Sequence, residues 1–201
     1  MQHRATGRVA RLAAMSLVAA LTAWAPAHGG EAADEAARAV VGDLVGEAHA
    51  AMAGEAGAND EDARLAELER VIERAFAFDV WERFLLGDHA FEPEQRARFR
   101  ALLPGFLARL YAAQFGKGLD DAPRLVGSRA VRGDVLVEAR IPRADGPPLP
   151  VAYRVRAFEG RGPLVIDVMV AGVSFLMLKR DEFGALIERD GVEGLLAFMR
   201  G

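Results

Sequence analysis

The side chain best placed to perform chemistry is a carboxylate in the middle of an apolar stretch, Asp167 in the string LVIDVMV. A buried acid with a raised pKa can act as a general base. Side chains alternate along a strand, however, and this puts Asp167 on the face opposite Ile166 and Val168. There the carboxylate would be solvated or paired with an arginine, and we favour this structural interpretation over the catalytic one.

The other candidate groups lack suitable companions. Tyr111 and Tyr153 could donate hydrogen bonds within a site, but core tyrosines with an edge hydroxyl are more common. His89 follows Asp88, yet no serine or cysteine nucleophile lies nearby, so a catalytic triad is not expected. The chain has four histidines without metal-ligand spacing and no cysteine, and Gly116-Lys117-Gly118 lacks the flanking pattern of a phosphate loop. We therefore expect no enzymatic activity, no metal and no cofactor.

The first 27 residues have the composition of an export signal. Three arginines precede an uncharged apolar run from Leu12 to Ala25, which is too short to span a bilayer comfortably. Ala25-Pro26-Ala27 is a typical small-residue cleavage site. We expect residues 1–27 to be a signal peptide and residues 28–201 to be a single domain in the periplasm. An uncleaved membrane anchor is the alternative.

Charge restricts the partners of the remaining chain. The full sequence has a formal net charge of −4, and removal of the three arginines in the signal takes this to −7. An acidic protein binds polyanions poorly. We therefore expect no nucleic-acid partner and no lasting binding to anionic lipid surfaces.

Helical spacing of apolar residues covers the first half of the chain, in residues 36–52, 60–76 and 78–86 and in a long stretch that starts at Pro93. The apolar stripe of the long stretch is wider than contact with one neighbouring element requires. Pro104 lies inside it and removes a backbone hydrogen bond, so we expect a kink there.

After residue 118 the apolar period changes from 3.6 to 2, which predicts strands over residues 124–131, 135–141, 151–157 and 164–170. Their short connections favour an antiparallel meander. Ser174 is a suitable N-cap for a following helix, and Asp190-Gly191 begins another. The predicted fold class is α+β, with a helical layer on a twisted four-stranded antiparallel sheet.

Several short strings, in their order and spacing, resemble the MlaC family, also called the toluene-tolerance auxiliary family. The resemblance covers about residues 35–200, and the chain departs from the family pattern at Glu92, Leu164 and Leu178-Lys179. The strings are Phe78-Asp79, Leu85-Leu86-Gly87, Pro93-Glu94-Gln95, Phe99, Leu110-Tyr111, Asp167-Val168, Gly172-Val173-Ser174, Arg180 and Phe183.

The resemblance implies a periplasmic carrier that shuttles phospholipid between an outer-membrane lipoprotein complex and an inner-membrane ABC transporter complex. It also implies an apolar cavity between the sheet and the helices, deep enough to hold both acyl chains. Three alternatives remain: a family member that binds hopanoids or another apolar lipid, an α+β cone enzyme for a small apolar substrate, and a structural protein whose apolar residues are all core.

Strand alternation and the stripe of the long helix select the residues that would line this cavity, with two phenylalanines near its ends. The predicted lipid-contacting residues are Phe84, Leu103, Phe106, Leu107, Val135, Val137, Val151, Tyr153, Val155, Ile166, Val168 and Phe175.

We predict that the exported protein begins at His28, because cleavage after Ala27 follows the small-residue pattern. Intact-mass spectrometry of the periplasmic fraction measures this directly. A full-length mass recovered with the membranes would show an uncleaved anchor instead.

Overall fold

The structure is a computed structural model that describes residues 28–53, 61–115, 121–143 and 146–201. The expected signal peptide and the Gly116-Lys117-Gly118 string lie outside these ranges. The helices and strands, in chain order, are α1 (His28–Ala53), α2 (Glu61–Ala75), α3 (Phe78–Leu86), α4 (Pro93–Phe115), β1 (Arg124–Val131), β2 (Asp134–Ile141), β3 (Leu149–Phe158), β4 (Gly162–Val170), β5 (Val173–Ser174) and α5 (Phe175–Phe198).

The α+β class and the antiparallel meander are confirmed, and the strands lie side by side in chain order. The sheet has five strands, however, where the sequence predicted four. The added strand β5 is two residues long and pairs with the end of β4 across a turn at Ala171-Gly172. Both turn residues have positive φ, 50° and 83°, as a two-residue hairpin turn requires. A strand this short gives no periodic signal in the sequence.

The helices follow the predicted pattern with one difference. Helix α4 includes Pro104, as the spacing predicted, and the kink expected there stays a prediction. Helix α5 contains both predicted closing helices, which are separated by a non-helical residue at Gly191 with φ 72° and ψ −179°. Glycine adopts this conformation without the steric cost that a side chain would add. Ser174 caps α5 as predicted, since its hydroxyl accepts a hydrogen bond from the Met177 backbone N–H at 3.1 Å.

Strand alternation holds along β3 but is interrupted in β4. Arg154 pairs with Asp167, whereas the next residue, Val155, pairs with Val165, so Ile166 is the extra residue of a β-bulge. Val165 consequently enters the main apolar core, and Ile166 is buried outside it. The assignment of Ile166 to the inward face was therefore wrong, because simple alternation does not survive a bulge.

The helical layer meets the sheet unevenly. Helix α1 lies across β1 to β4, while the close backbone neighbours of α4 are α2, α3 and α5. The connection between α2 and α3 is bonded to the sheet, because the Ala77 N–H donates to the Val165 carbonyl at 3.0 Å. Elsewhere the layers are joined mainly through one contiguous apolar core.

Two buried carboxylates stabilise the periphery of this core. Glu82 is 3% exposed and accepts hydrogen bonds from Arg96, at 3.2 Å, and from Arg100, which ties α3 to α4. Asp134, also 3% exposed, begins β2 and accepts from Arg154 at 2.6 Å and Arg156 at 2.7 Å. Burial alone would raise the pKa of Asp134, but the two guanidinium groups outweigh it and hold this pKa below its usual value.

We predict that Asp134→Asn lowers the melting temperature by about 4–8 °C at neutral pH, because about 2 kcal/mol of charge-assisted hydrogen bonding is lost. A carboxyl group with a lowered pKa stabilises the fold above its unfolded pKa, and this contribution disappears as the pH falls through its folded pKa. The difference between the two proteins should therefore shrink on acidification.

Thermal unfolding followed by circular dichroism across the acid range measures this effect. Asp181→Asn is the matched control, because Asp181 is exposed on α5 without an ion pair among the described residues. Equal melting temperatures of wild type and Asp134→Asn at neutral pH would contradict the stabilising role.

Candidate functional site

The structure gathers the predicted lipid-contacting residues, apart from Ile166, into one contiguous apolar cluster between the helices and the sheet. The buried members are Leu103, Phe106, Leu107, Val137, Val151, Tyr153 and Val155, and the partly buried members at its margin are Phe84, Val135, Val168 and Phe175.

The sheet side of this interior is built by cross-strand pairs. Tyr153 stands between Val137 of β2 and Val168 of β4, and Val151 stands between Ala139 and Val170. The helical side comes from α4 and α5, where Phe106 lies with its ring centroid 5.6 Å from that of Phe183. The candidate site is thus a layer of aliphatic and aromatic groups, suited to contact with hydrocarbon.

Two tyrosines, Tyr111 and Tyr153, place phenol groups inside this layer. Burial raises the pKa of Tyr111 to about 12. Burial, with a smaller contribution from the neighbouring Tyr111, raises the pKa of Tyr153 further above its usual value. Both phenols are therefore neutral at physiological pH and can exchange hydrogen bonds, but neither is suited to act as a general base.

The interior is filled by the protein's own side chains. Leu103 and Val137 are 0% exposed and Val155 is 2% exposed, so the space between the layers holds almost no accessible surface. A ligand that enters here must displace these contacts by moving the layers apart.

A cleft of about 600 Å³ lies elsewhere, between α1 and α2. Charged side chains line much of it, including Arg74 paired with Glu47 at 2.5 Å and Arg70 paired with Glu67 at 2.7 Å. The cleft is also open to solvent, so it would not enclose an acyl chain. The apolar interior therefore remains the candidate site.

Asp167, the acid that could have been catalytic, has a structural role. Its carboxylate accepts hydrogen bonds from the Ser174 hydroxyl at 2.7 Å, the Val168 N–H at 2.8 Å and the Leu176 N–H at 3.2 Å. Burial raises the pKa of Asp167, and these bonds partly offset the rise. With its oxygens engaged, the side chain holds the start of α5 against β4 and is not available as a base.

One end of the interior combines aromatic rings with cations. The Arg180 guanidinium lies 5.0 Å from the Phe84 ring centroid, and the Lys179 ammonium lies 5.5 Å from that of Phe175. Beside them Met177 is 59% exposed and Leu178 is 54% exposed. The sequence analysis did not select Met177 or Leu178 as candidate site residues, although Leu178-Lys179 departs from the family pattern.

Other site types have little support in the part of the chain that the structure describes. It contains no group of histidine, cysteine, aspartate or glutamate side chains arranged to hold a metal ion. Among the described helices, none has the length and apolar character needed to cross a membrane.

Comparison with known proteins identifies a family and a solved structure of similar fold. A family model described as MlaC protein matches residues 43–201. The fold is similar to that of a phospholipid-binding protein from Ralstonia solanacearum, solved in complex with a phospholipid; 24% of residues are identical, the match covers 82% of this chain and 94% of that chain, and the TM-score is 0.67. No curated protein sequence matches the chain.

We predict that Asp167→Ala lowers the melting temperature by about 5–10 °C, because several buried hydrogen bonds are lost together. Asp167→Asn is the matched control. It keeps one side-chain oxygen as an acceptor for the backbone N–H groups, so it should lose less than half as much. Differential scanning calorimetry measures both variants, and equal losses would contradict the acceptor role.

Proposed function

Because this chain belongs to the MlaC family, we propose that it is a lipid carrier that holds the acyl chains of a phospholipid between its sheet and its helices. The observation that carries the proposal is the continuous apolar interior, which joins α4, α5 and the inward face of the sheet. The phospholipid complex of the Ralstonia solanacearum protein, which has a similar fold, is consistent with this ligand class.

The energetics of hydrocarbon require deep enclosure. Each methylene left in water costs about 0.8 kcal/mol, so a lipid with roughly thirty methylenes would lose on the order of 20 kcal/mol if its chains stayed exposed. Contacts to the head group cannot supply this much. A carrier must therefore open its filled interior and close it again over both chains.

The interface between α4 and the sheet is where we expect the interior to open. Helix α1 lies on the sheet, whereas α4 makes its close backbone contacts with α2, α3 and α5. Side-chain contacts such as those of Leu103 and Phe106 connect α4 to the shared core. Separation of α4 from the sheet would therefore break mainly apolar contacts. Acyl chains would then form apolar contacts in their place.

We extend the proposal to location and partners. The signal-like residues 1–27 support export to the periplasm. Membership of the family supports exchange of lipid with an inner-membrane ABC transporter complex and an outer-membrane lipoprotein complex. Docking with either complex would drive the release of a lipid that otherwise leaves slowly.

The enzyme alternative is less well supported by the site. Asp167 is held by three hydrogen-bond donors, and Tyr111 and Tyr153 are neutral phenols. These groups can stabilise an interior and orient a ligand, but they do not make a nucleophile and its base.

Mass spectrometry of an organic extract of the purified protein tests the proposal. Stoichiometric phospholipid supports the phospholipid carrier, and stoichiometric hopanoid supports the alternative ligand. Protein that carries no lipid, and takes up none from vesicles of phosphatidylethanolamine, would overturn the carrier function.

We predict that Val151→Asp lowers lipid occupancy by about tenfold or more, because an unpaired carboxylate is costly among apolar groups. Val151 is 4% exposed and lies in the predicted lining. Ala157→Asp is the matched control, since it places the same charge on the same strand at an exposed position.

Circular dichroism verifies folding before the lipid is counted in an extract. If Val151→Asp does not fold, Val151→Thr preserves the shape and replaces one methyl group by a hydroxyl, and it should lower occupancy by a smaller factor. Full lipid occupancy in a folded Val151→Asp protein would show that this face does not hold the ligand.

A further inference from the structure

The indole of Trp81 is a fully buried hydrogen-bond donor that has no acceptor among the described residues. Trp81 lies on α3, is 1% exposed, and meets the Phe76 ring edge-on with a centroid distance of 5.2 Å. The Phe175 ring centroid is 6.3 Å away. No acceptor for the Nε1–H exists among the residues that the structure describes. An unpaired buried donor destabilises the structure that contains it, and the N–H of a buried tryptophan usually has a partner.

Three other residues with buried polar groups differ from Trp81, because each has hydrogen-bond partners or is partly exposed. Glu82, the next residue in the chain, has both oxygens engaged by arginines. Two other buried nitrogens lack partners within the described ranges, Nδ1 of His49 and Nε of Arg98, but both residues are partly exposed and Arg98 bonds Glu193 through another nitrogen. Trp81 alone of these three is an entirely buried residue.

The position of Trp81 relates it to the proposed lipid site. Phe84 follows one turn later on α3, about 4.5 Å along the helix axis. It lies at the margin of the apolar interior and supports Arg180, which is exposed and forms no ion pair with any described acidic residue. By exposure, the order is thus an exposed cation, a partly buried ring and a fully buried N–H donor, and the donor's ring packs beside Phe175 at the margin of the apolar interior.

This order matches the polarity of a glycerophospholipid. The phosphate is anionic, the glycerol carries ester carbonyls that accept hydrogen bonds, and the chains beyond them are hydrocarbon. We propose that the Trp81 Nε1–H donates a hydrogen bond to an ester carbonyl of the bound lipid, which makes Trp81 a specificity-determining residue for ester-linked lipids. The inference deepens the proposed carrier function and rests on it.

The same contact would discriminate between lipid classes. A polycyclic hydrocarbon offers no carbonyl, so the donor would stay unpaired in that complex. A site that is built to form a hydrogen bond binds an analogue without the partner group less well, because the buried polar group is left unsatisfied. Trp81 would thus favour glycerol diesters over hopanoid hydrocarbons.

Titration of the lipid-free protein with two matched lipids tests this proposal. The probes are a diester phosphatidylethanolamine and its dialkyl ether analogue, which has the same head group and chain lengths but no carbonyls. We expect the wild-type protein to bind the diester about threefold to tenfold more tightly, the usual effect of one hydrogen bond. Trp81→Phe should bind both lipids with equal affinity.

A matched control separates the donor from the volume of the ring. Phe76→Leu removes ring volume beside Trp81 and leaves the N–H in place. This variant should bind both lipids less tightly, by the same factor, and preserve the preference for the diester. Loss of the preference in Phe76→Leu as well as in Trp81→Phe would overturn the proposal, since packing would then account for the effect.

A second measurement needs no variant. Trp81 is the only tryptophan in residues 28–201, so the indole N–H band in an ultraviolet resonance Raman spectrum reports on this side chain alone. We expect the diester, but not the diether, to shift the band towards a stronger hydrogen bond. An unshifted band in the diester complex, or equal affinity of the wild-type protein for both lipids, would overturn the role of Trp81. Failure of both lipids to bind would overturn the carrier function itself.

Discussion

Strand β4 carries two of the polar connections that fix the helical layer on the sheet. The Val165 carbonyl accepts from the Ala77 N–H at the junction of α2 and α3, and two residues later the Asp167 carboxylate holds the first turn of α5 through Ser174 and Leu176. The bulge at Ile166 lies between these two points, so that one stretch of strand serves both. Because apolar contact is nondirectional, these bonds determine how the layers are oriented, and the core determines how strongly they adhere.

Charged side chains lie at the boundary of the apolar interior. Asp134 and Glu82 are buried carboxylates, yet each is held by two arginines at the edge of the fold. Within the layer the polar groups are neutral phenols and an indole, which can exchange hydrogen bonds at modest desolvation cost. An interior of this composition is suited to contact with hydrocarbon and with a few acceptor oxygens.

The periodicity of apolar residues in the sequence was sufficient to predict the long helices and strands and most of the residues in the candidate site. The limits of α3, the capping of α5 by Ser174 and the inward face of Val151, Tyr153 and Val155 follow from spacing and local chemistry alone. The bulge at Ile166 does not follow from spacing. Its position in the strand depends on the bonds that β4 makes to distant parts of the chain. Strand β5 is too short to form a pattern, and the partners of Asp167 lie in a turn whose shape the strand sequence does not specify.

The position of α1 has a consequence for how the chain acquires its structure. This first helix lies across strands that come much later, and its ties to β1 span 90 residues from Arg38 to Ser128 and 94 from Asp34 to Ser128. The meander can close by successive neighbouring hairpins, and α1 can pack on α2, but the contacts of α1 with the sheet must wait until those hairpins exist. We therefore expect the docking of α1 on the sheet, which closes this long loop, to be a late step of folding.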